Sequence, residues 1–473
     1  MENINISEKI EQVISKCSDL YLYSNILKDL FTNGIEKPSN TLMSLNILPI
    51  LKEKELKNNI KNNISNIISY IQNDMKSCRD AYQVLSCIFG AFLGDALGAF
   101  CEFHKISNNN YKKIFNRSPV FGGVKGQVTD DSEMAMSFAY AIMDNPYLDN
   151  IDVNYLYFYY GAWSKSNPLD IGNTTKKSFM LFDFYKFLPE QNNFDKVSQI
   201  INTSNRNSLS NGFLMRKSTF IVWLYYRFFK DINNAFSQND NNEKLLNLYL
   251  KIKELSHIDN QCTHQNVETD TSSAFYCIMA LMAIRGDKAC NIIDKLISLC
   301  KDKYFQNNKN EDNAIAMKIL YFIQTFSSKN FDFWKFFGNK SNIDFINKNI
   351  GYYAHAFKLT LYYLVHFDNI EQNNKFRIIF NQICNLGGDT DTNACIVGAV
   401  IGPLIGYSNF GEDFDKIITI IPPNRGIYSI SLMYLYIRYL KNSNRNKELI
   451  NNKRYFLKQN LDLMYNVVEI DYV

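Results

Sequence analysis

Residues 90–103 read GAFLGDALGAFCEF, an apolar stretch in which glycine recurs at every fourth position. In an α-helix this spacing places Gly90, Gly94 and Gly98 on one face. Glycine within a helix costs up to about 1 kcal/mol relative to alanine, so a repeat of three needs a physical reason. We expect this face to pack closely against the backbone of another helix.

Residues 385–402, NLGGDTDTNACIVGAVIG, show the same spacing in the other half of the chain. Ala394, Gly398 and Gly402 would lie on one face of a second helix, again open to close approach by a backbone. The two stretches therefore predict two helices that each present a face of small residues.

Two carboxylates, Asp389 and Asp391, stand at the start of this second segment, which contains no lysine or arginine. An EF-hand loop does not explain them, because it requires glycine at the sixth position and glutamate at the twelfth, where this chain has Ala394 and Val400. A helix N-terminus attracts acids and threonines as caps, but one cap needs only one side chain.

A similar cluster lies far away in sequence, where Thr129, Asp130 and Asp131 directly precede an apolar helical pattern. If the two helix starts meet, four carboxylates share one pocket and repel one another unless a cation intervenes. Oxygen ligands favour Mg²⁺, Mn²⁺ or Ca²⁺ over zinc. The ten cysteines and five histidines have no zinc-site spacing, in agreement with that choice.

The chain as a whole has 473 residues, 46% of them hydrophobic, which is enough for a sizeable core. A formal net charge of +4 argues against a nucleic-acid-binding surface. The cysteines form no CxxC pair, which favours reduced thiols in a cytosol-like compartment. No apolar signal segment opens the chain, and the apolar run at 394–402 is too short to span a bilayer. We expect a cytoplasmic monomer that binds neither nucleic acid nor membrane.

Helical periodicity dominates the remainder, so the predicted fold class is all-α. A helical N-terminal extension is expected over residues 1–78, a catalytic domain over 79–440 and a C-terminal tail over 441–473. The predicted helices cover residues 131–144, 152–163, 174–187, 213–230, 243–256, 271–285, 311–327, 354–366, 372–385 and 428–441.

Six segments then occur in a characteristic order: GAFLGDALGAFCEF, GQVTDDSEMA, DIGNTT, SNGFLMR, CTHQN and NLGGDTDTNACIVGAVIG. Over about residues 80–440 the chain resembles the ADP-ribosylglycohydrolases, the group similar to dinitrogenase reductase activating glycohydrolase. The resemblance implies a compact multi-helix domain with a binuclear metal centre of two Mg²⁺ or Mn²⁺ ions. It also implies a substrate that is an ADP-ribosylated protein or a small ADP-ribosyl conjugate.

The resemblance assigns roles to individual positions. The metal ligands are expected to be Thr129, Asp130, Asp131, Asp389, Asp391 and Thr392. The expected catalytic residues are Glu102, Asp131 and Asp170. The expected substrate-binding residues are Asn173, Ser210, Asn211, Gly212, His264 and Gly388.

Several of these positions also have a purely structural interpretation. Glu102 would then be a surface acid at a helix end, and Asp170 would cap a helix that begins near Thr174. His264 would be a buried histidine with satisfied hydrogen bonds. The same question arises for three aromatic side chains and two charged ones. Phe213, Tyr160 and Trp163 are candidates to stack on adenine or to fill the core, Arg216 is expected to pair with a buried acid, and Asp270 is expected to cap a helix.

The predicted function is a metal-dependent hydrolase that removes ADP-ribose from a protein side chain by attack of a metal-activated water at the anomeric carbon. Within the family resemblance, the forms SNGFLMR and DIGNTT favour the arginine-directed branch over the serine-directed one, and a small ADP-ribosylated molecule is another possible substrate. A catalytically silent ADP-ribose-binding module is the alternative, and a phosphoesterase acting on the diphosphate is a third possibility. The chain has no GxSxG, GxxxxGK[ST] or GxGxxG motif, so serine hydrolase, P-loop and Rossmann functions have no support.

Overall fold

A computed structural model describes residues 79–103, 120, 128–145, 150–165, 168–183, 194–237, 242–307, 311–338, 346–347, 349–371 and 374–411. Every regular element within these ranges is helical, which confirms the all-α fold class. The predicted N-terminal extension, the C-terminal tail and the helix at 428–441 lie outside the described residues. The boundaries proposed for the three regions therefore stay predictions.

The α-helices of the described residues are numbered here in chain order. They are α1 (Arg79–Cys101), α2 (Asp130–Asp144), α3 (Val153–Ser164), α4 (Asn173–Ser178), α5 (Phe194–Asn205), α6 (Lys217–Arg227), α7 (Phe229–Ala235), α8 (Asn242–Asn260), α9 (Val267–Arg285), α10 (Ala289–Cys300), α11 (Lys303–Asn307), α12 (Glu311–Phe326), α13 (Phe333–Phe337), α14 (Tyr353–Val365), α15 (Lys375–Leu386) and α16 (Thr390–Ile405). Short 3₁₀ turns occupy Asn211–Phe213, Phe367–Asn369 and Tyr407–Asn409.

Two predicted helices were wrong in extent. The helix expected at 174–187 ends at Ser178, because the chain then turns inward and packs the Phe182 ring onto Gly161 of α3. The helix expected at 213–230 is divided into a 3₁₀ turn, α6 and α7, with non-helical backbone at Phe228 between the last two. Helices α5, α10, α11 and α13 were not predicted.

Helices α1 and α16 pack against each other through their small residues, which confirms the close backbone approach expected for both. A Cβ at Gly90 would lie 2.3 Å from the Gly398 carbonyl oxygen, and one at Gly94 would lie 2.4 Å from that of Ala394. Such distances leave no room for a side chain larger than hydrogen at these glycines unless the helices move apart. The sequence predicted each face, and the structure shows that the faces are partners.

Helix α1 lies in the interior of the protein. Its segment Tyr82–Cys101 is long and apolar enough to cross a membrane, with a mean hydropathy of 1.9, but 94% of that window is buried inside the protein. This segment is longer than the apolar run noted at 394–402. An apolar helix that is buried on all sides is typical of the core of a large helical domain.

Candidate active site

The α1–α16 contact brings the acidic ends of the two helices together. A Cβ at Gly98 would lie 2.3 Å from Asp391 Cα, and the Thr390 hydroxyl donates to the Gly98 carbonyl over 2.7 Å. The first turn of α16 therefore lies against the last turns of α1, which carries Asp95, and against Glu102, which follows the helix.

One group of acids consists of Asp95, Asp131 and Asp391, each contributing one carboxylate oxygen within 4.8 Å of the others. All three residues are buried. The Thr129 hydroxyl lies 2.8 Å from Asp131 Oδ2 and 3.4 Å from Asp391 Oδ2. The helix starts at Asp130 and Thr390 thus meet, although they lie far apart in the chain.

A second group consists of Glu102, Asp389 and Asp391, again with one oxygen each within 4.8 Å of the others. Glu102 is only 3% exposed, so its interpretation as a surface acid is wrong. The backbone N–H of Phe103 donates to the Gly388 carbonyl over 3.1 Å and ties the two segments together. Asp391 belongs to both groups, so they are adjacent and share one carboxylate.

Gly388 and Thr392 flank the second acidic pair. Gly388 has a left-handed backbone (φ +79°), which favours glycine because a Cβ is strained in that region. Thr392 is buried, and its backbone N–H donates to Asp391 Oδ1 over 2.8 Å. Both residues therefore shape the turn that presents Asp389 and Asp391.

Asp95 is the site residue whose role the sequence did not reveal. Its carboxylate accepts hydrogen bonds from Thr129 N at 3.0 Å and Thr129 Oγ1 at 2.9 Å, and from Ser132 N at 3.1 Å and Ser132 Oγ at 2.5 Å. These donors bracket the start of α2, so Asp95 anchors the turn that carries Asp130 and Asp131. The available signal was an acid in the middle of a helix that is otherwise apolar.

Burial and mutual repulsion both favour the protonated, uncharged form of the acids of the site. Burial is the largest cause that raises the pKa of Asp130, Asp131 and Asp391 well above the ordinary range, and repulsion from neighbouring acids adds to it. Burial and the charge of Asp389 raise the pKa of Glu102 to about 9. Burial raises the pKa of Asp95 to about 7. Carboxylates crowded in this way need protons or cations for balance.

The residues present fit a hard divalent cation. Asp131 Oδ1 is buried and accepts no hydrogen bond from the part of the chain that the structure describes. Within the same ranges no lysine or arginine forms an ion pair with Asp131 or Asp391. Several carboxylate and hydroxyl oxygens form the donor set that Mg²⁺ or Mn²⁺ prefers. Because no described lysine or arginine pairs with Asp131 or Asp391, a cation would balance their negative charge.

Asp170 lies beside the acids, and it is not a helix cap. Gly172 precedes the first residue of α4, and no side chain caps that helix. Asp170 is half-buried, and its pKa is raised by burial and by the charge of Asp389. The Gly172 N–H lies 3.4 Å from Asp130 Oδ2, and Asn173 is exposed at the start of α4.

The turn at Ser210, Asn211 and Gly212 approaches the cluster from another side. The Asn211 side-chain amide donates to Asp389 Oδ2 over 2.7 Å, and its backbone N–H donates to the Gly351 carbonyl over 2.8 Å. Asn211 therefore positions Asp389. A Cβ at Gly212 would make ordinary van der Waals contacts, at 3.6 Å from both the His264 ring and the Thr175 hydroxyl.

His264 lies beneath this turn with both ring nitrogens near hydroxyl groups. Its Nε2 is 2.8 Å from Ser210 Oγ, and its Nδ1 is 2.9 Å from Thr263 Oγ1. Complete burial, together with the nearby charge of Arg216, lowers the pKa of His264 to about 3. The ring is therefore neutral at physiological pH, and it supports Ser210.

Arg216 pairs with a buried acid, as predicted. Its Nε lies 3.2 Å from Asp259 Oδ1, and its Nη1 donates to the Gly212 carbonyl over 3.2 Å. Lys217 forms a second ion pair with the same carboxylate, and the Tyr160 hydroxyl donates to it over 2.7 Å. This buried network holds the turn that contains Gly212.

The three aromatic candidates for adenine stacking are core residues. Tyr160 packs under the Arg216 guanidinium, which lies 4.7 Å above its ring. Trp163 donates to Glu133 over 2.7 Å, and Phe213 packs at 5.2 Å from the His264 ring. All three are buried.

Asp270 was expected to cap a helix, but that expectation was wrong. Asn266 caps α9 by accepting from Thr269 N over 3.0 Å. Asp270 instead accepts from the Asn260 side chain over 2.9 Å and lies 2.8 Å from the His257 ring.

Comparison with known proteins gives a consistent family assignment. The family model described as ADP-ribosylglycohydrolase matches residues 78–417. A protein of Acanthamoeba polyphaga mimivirus, whose name places it among the ADP-ribosyl glycohydrolases, is 28% identical over 329 residues, covering 67% of this chain and 86% of its own length. The ADP-ribosyl-[dinitrogen reductase] glycohydrolase of Rhodospirillum rubrum is 31% identical over 99 residues, covering 20% of this chain and 33% of that enzyme.

Among solved structures, an ADP-ribosylglycohydrolase-related protein complex aligns with a TM-score of 0.48 at 15% identity, covering 76% of this chain and 98% of that one. The family model spans most of the chain and includes both acidic groups. The chain therefore belongs to the ADP-ribosylglycohydrolase family.

Proposed function

We propose that this protein is a metal-dependent hydrolase that removes ADP-ribose from a modified arginine side chain of a protein. The observation that carries the proposal is the pair of adjacent acidic groups that share Asp391, in which every acid is buried except the half-buried Asp389. Two adjacent groups of carboxylate oxygens suit two neighbouring divalent cations, and the uncompensated charge favours their binding.

Six residues would hold the ions. They are Thr129, Asp130, Asp131, Asp389, Asp391 and Thr392. Bound Mg²⁺ or Mn²⁺ ions would supply Lewis-acid stabilisation of the ribose hydroxyls and an activated water. Asp95 accepts donors on both carboxylate oxygens, so its proposed part is to anchor the start of α2.

Glu102 is the proposed general base. Cleavage at the anomeric carbon passes through an oxocarbenium-like transition state, and the attacking water must lose a proton. Glu102 lies beside Asp389 and Asp391, and its pKa is raised to about 9 by burial and by the charge of Asp389. Cations bound to those aspartates would offset this repulsion, so that Glu102 becomes ionised and accepts the proton.

Asp170 supports arginine as the acceptor. Its carboxylate is half-buried and lies close enough to Asp130 and Asp389 for charge repulsion to raise the pKa values of the group. A leaving guanidinium is a planar cation that binds carboxylates through charge-assisted hydrogen bonds. We propose that Asp170 holds this group and stabilises it as the glycosidic bond breaks.

The test is a product assay on purified protein. Arginine-linked and serine-linked ADP-ribosylated proteins are incubated separately with Mg²⁺ or Mn²⁺, with EDTA as control, and the released nucleotide is identified by chromatography. We expect free ADP-ribose from the arginine-linked substrate and none in EDTA. Asp131→Asn should abolish release, whereas Asp231→Asn, a surface acid on α7, should leave it unchanged.

Other products would identify the alternatives. Release of AMP would indicate a phosphoesterase, and tight binding of ADP-ribose without turnover on either linkage would indicate a binding module. Release from the serine-linked substrate alone would retain the hydrolase and refute the role given to Asp170.

A further inference from the structure

His264 is a buried, neutral histidine, and each of its two ring nitrogens has a hydroxyl partner. Its Nε2 lies 2.8 Å from Ser210 Oγ, and its Nδ1 lies 2.9 Å from Thr263 Oγ1. A neutral imidazole carries one N–H, so one nitrogen donates and the other accepts. The position of that proton decides whether the Ser210 hydroxyl receives a hydrogen bond from the ring or donates one to it.

Thr263 decides the position of the proton, because its own hydroxyl proton has one acceptor left. The Thr263 oxygen accepts from Arg216 Nη1 over 3.0 Å, and a guanidinium cannot accept in return. The Asn260 carbonyl, 3.5 Å away, already accepts from the backbone N–H groups of Thr263 and His264 over 2.8 and 2.6 Å. A carbonyl oxygen has two lone pairs, and 3.5 Å is longer than an ordinary O–H···O hydrogen bond. The Thr263 hydroxyl therefore donates to His264 Nδ1.

The proton of His264 consequently lies on Nε2, which faces Ser210, and a second observation agrees with this assignment. Burial, together with the charge of Arg216, lowers the pKa of His264 to about 3, and a hydrogen bond to the Ser210 backbone acts in the opposite direction. A hydrogen bond that favours the protonated ring is one in which the ring donates. The Ser210 oxygen is thus an acceptor towards His264, and the Ser210 proton points away from the ring.

Three hydroxyl groups cluster at this position. Ser210 Oγ lies 3.2 Å from Thr174 Oγ1 and 3.4 Å from Ser208 Oγ, and the last two oxygens lie 2.8 Å apart. All three residues are half-buried. The cluster therefore remains accessible to a ligand from solvent.

The hydroxyl cluster lies between two segments that contact the acids of the site. On one side, Asn211 follows the cluster in sequence and donates to Asp389 Oδ2 over 2.7 Å. On the other side, the N–H of Gly172 lies 3.4 Å from Asp130 Oδ2, two residues before the first hydroxyl. Adjacent Cα atoms are about 3.8 Å apart, so a ligand held at these acids has the hydroxyl cluster beside it.

We infer that Arg216 and Thr263 are positioning residues that fix the tautomer of His264. Through that tautomer they commit the Ser210 hydroxyl as a hydrogen-bond donor to the substrate. This inference rests on the proposed function, because an ADP-ribosyl group carries phosphate oxygens that accept hydrogen bonds and cannot donate them. With the opposite tautomer, the Ser210 proton would be donated to Nε2, and an oxygen lone pair would face the anionic substrate.

The first test determines the tautomer without any substrate. Protein labelled with ¹⁵N-histidine is studied by long-range proton–nitrogen correlation NMR. The His264 signals are identified by their absence in His264→Gln and by their failure to titrate near neutral pH. We expect the proton on Nε2 and none on Nδ1. A proton on Nδ1 would overturn the inference, whatever the protein hydrolyses.

The second test measures the Kd of ADP-ribose by calorimetry in Mg²⁺. We expect the Kd to rise about tenfold in Ser210→Ala, as for one lost hydrogen bond to a charged group. Thr263→Val should also raise the Kd, because the ring loses the donor that keeps Nδ1 free of a proton. Thr263→Ser retains that hydroxyl and should bind as wild type. Thr360→Val is the matched control, since Thr360 is a buried threonine on α14 whose hydroxyl donates to the Ala356 carbonyl over 2.9 Å, and its Kd should not change.

A double variant separates positioning from a structural role. If Thr263 acts through Ser210, Thr263→Val should have no further effect on the Kd in the Ser210→Ala protein. An unchanged Kd in Ser210→Ala, or full additivity of the two substitutions, would overturn the inference.

The proposed function can fail separately. If the wild-type protein binds ADP-ribose with this dependence on Ser210 and Thr263 but hydrolyses neither linkage, the hydrolase assignment is refuted and the inference stands. If the protein hydrolyses the arginine-linked substrate and Ser210→Ala binds ADP-ribose as wild type does, the hydrolase stands and the inference is refuted. If the wild-type protein does not bind ADP-ribose in Mg²⁺, both are refuted.

Discussion

Replacing Gly98 with alanine tests whether the contact between α1 and α16 builds the acidic site. A Cβ at Gly98 would lie 2.3 Å from Asp391 Cα and 2.4 Å from the Thr390 carbonyl oxygen. These are backbone atoms, which cannot rotate away. Gly90 provides a matched control, because its Cβ would lie 2.3 Å from the Gly398 carbonyl oxygen. That contact lies about 12 Å further from the acids along α1.

The expected loss in the free energy of unfolding follows from the overlap between the new Cβ and the backbone of α16. Ordinary contacts of a Cβ begin near 3.4 Å, so either alanine must separate the helix backbones locally by about 1 Å. Overpacking of a core costs about 1–3 kcal/mol, and the better helix propensity of alanine offsets up to about 1 kcal/mol of that. We expect the free energy of unfolding to fall by roughly 1–2 kcal/mol in both variants.

The two variants should differ in activity. A shift of about 1 Å at Gly98 displaces Asp391, which belongs to both acidic groups, and a misplacement of that size can lower a rate about 100-fold. The shift at Gly90 falls on a part of α16 that carries no site residue. Urea denaturation measures stability, ADP-ribose release at a temperature where both variants are folded measures activity, and Mn²⁺ titration measures the metal site.

Two outcomes would refute this reasoning. Wild-type stability in both variants would mean that the helices do not approach as closely as the structure has them. Equal losses of activity in Gly98→Ala and Gly90→Ala would mean that site geometry does not depend on the local contact at Asp391.

Further substitutions address the buried charges. In Asp95→Asn the amide N–H groups face the donors of Thr129 and Ser132, so the free energy of unfolding, measured in urea, should fall by about 1–3 kcal/mol. The affinity for Mn²⁺ should also fall, because the start of α2 loses its anchor. In metal-free protein the pKa of Glu102 rises from 4.5 to about 9, so the folded state keeps a proton that the unfolded state releases. Its contribution to stability is therefore fully present below pH 4.5 and is lost as pH rises toward 9, and Glu102→Gln should flatten that decline in thermal melts in EDTA. Arg216→Met should cost about 3–5 kcal/mol because it removes the main partner of buried Asp259, whereas Lys217→Met, which keeps that pair, should cost less.

Each of these expectations has a contrary result. Unchanged Mn²⁺ affinity in a destabilised Asp95→Asn protein would limit Asp95 to a structural role. A decline between pH 6 and 9 that is as steep in Glu102→Gln as in wild type would assign the titration to the other buried acids. A greater loss from Lys217→Met than from Arg216→Met would reverse the order of importance given to the two cations.

Local features of the sequence were enough for much of the fold. Glycines spaced by four residues predicted two helices with small-residue faces, and the structure contains both as α1 and α16. One wrong prediction shows the influence of packing at a distance. The expected helix at 174–187 ends early because the ring of Phe182 packs onto Gly161 of another helix. Periodicity within a segment contains no information about such contacts.

The sequence by itself determined which side chains are available for chemistry: two acidic clusters, a lone acid within an apolar helix and a set of motifs typical of one family. Tertiary structure alone decided how they are combined. Thr129 lies 3.4 Å from Asp391, which is 262 positions further along the chain. Glu102 is buried, Asp95 accepts a hydrogen bond from Thr129 at the start of α2, and the Asn211 amide donates to Asp389. The physical reason is that helix formation depends on neighbours in sequence, whereas burial, charge repulsion and hydrogen-bond partners depend on which helix faces pack together.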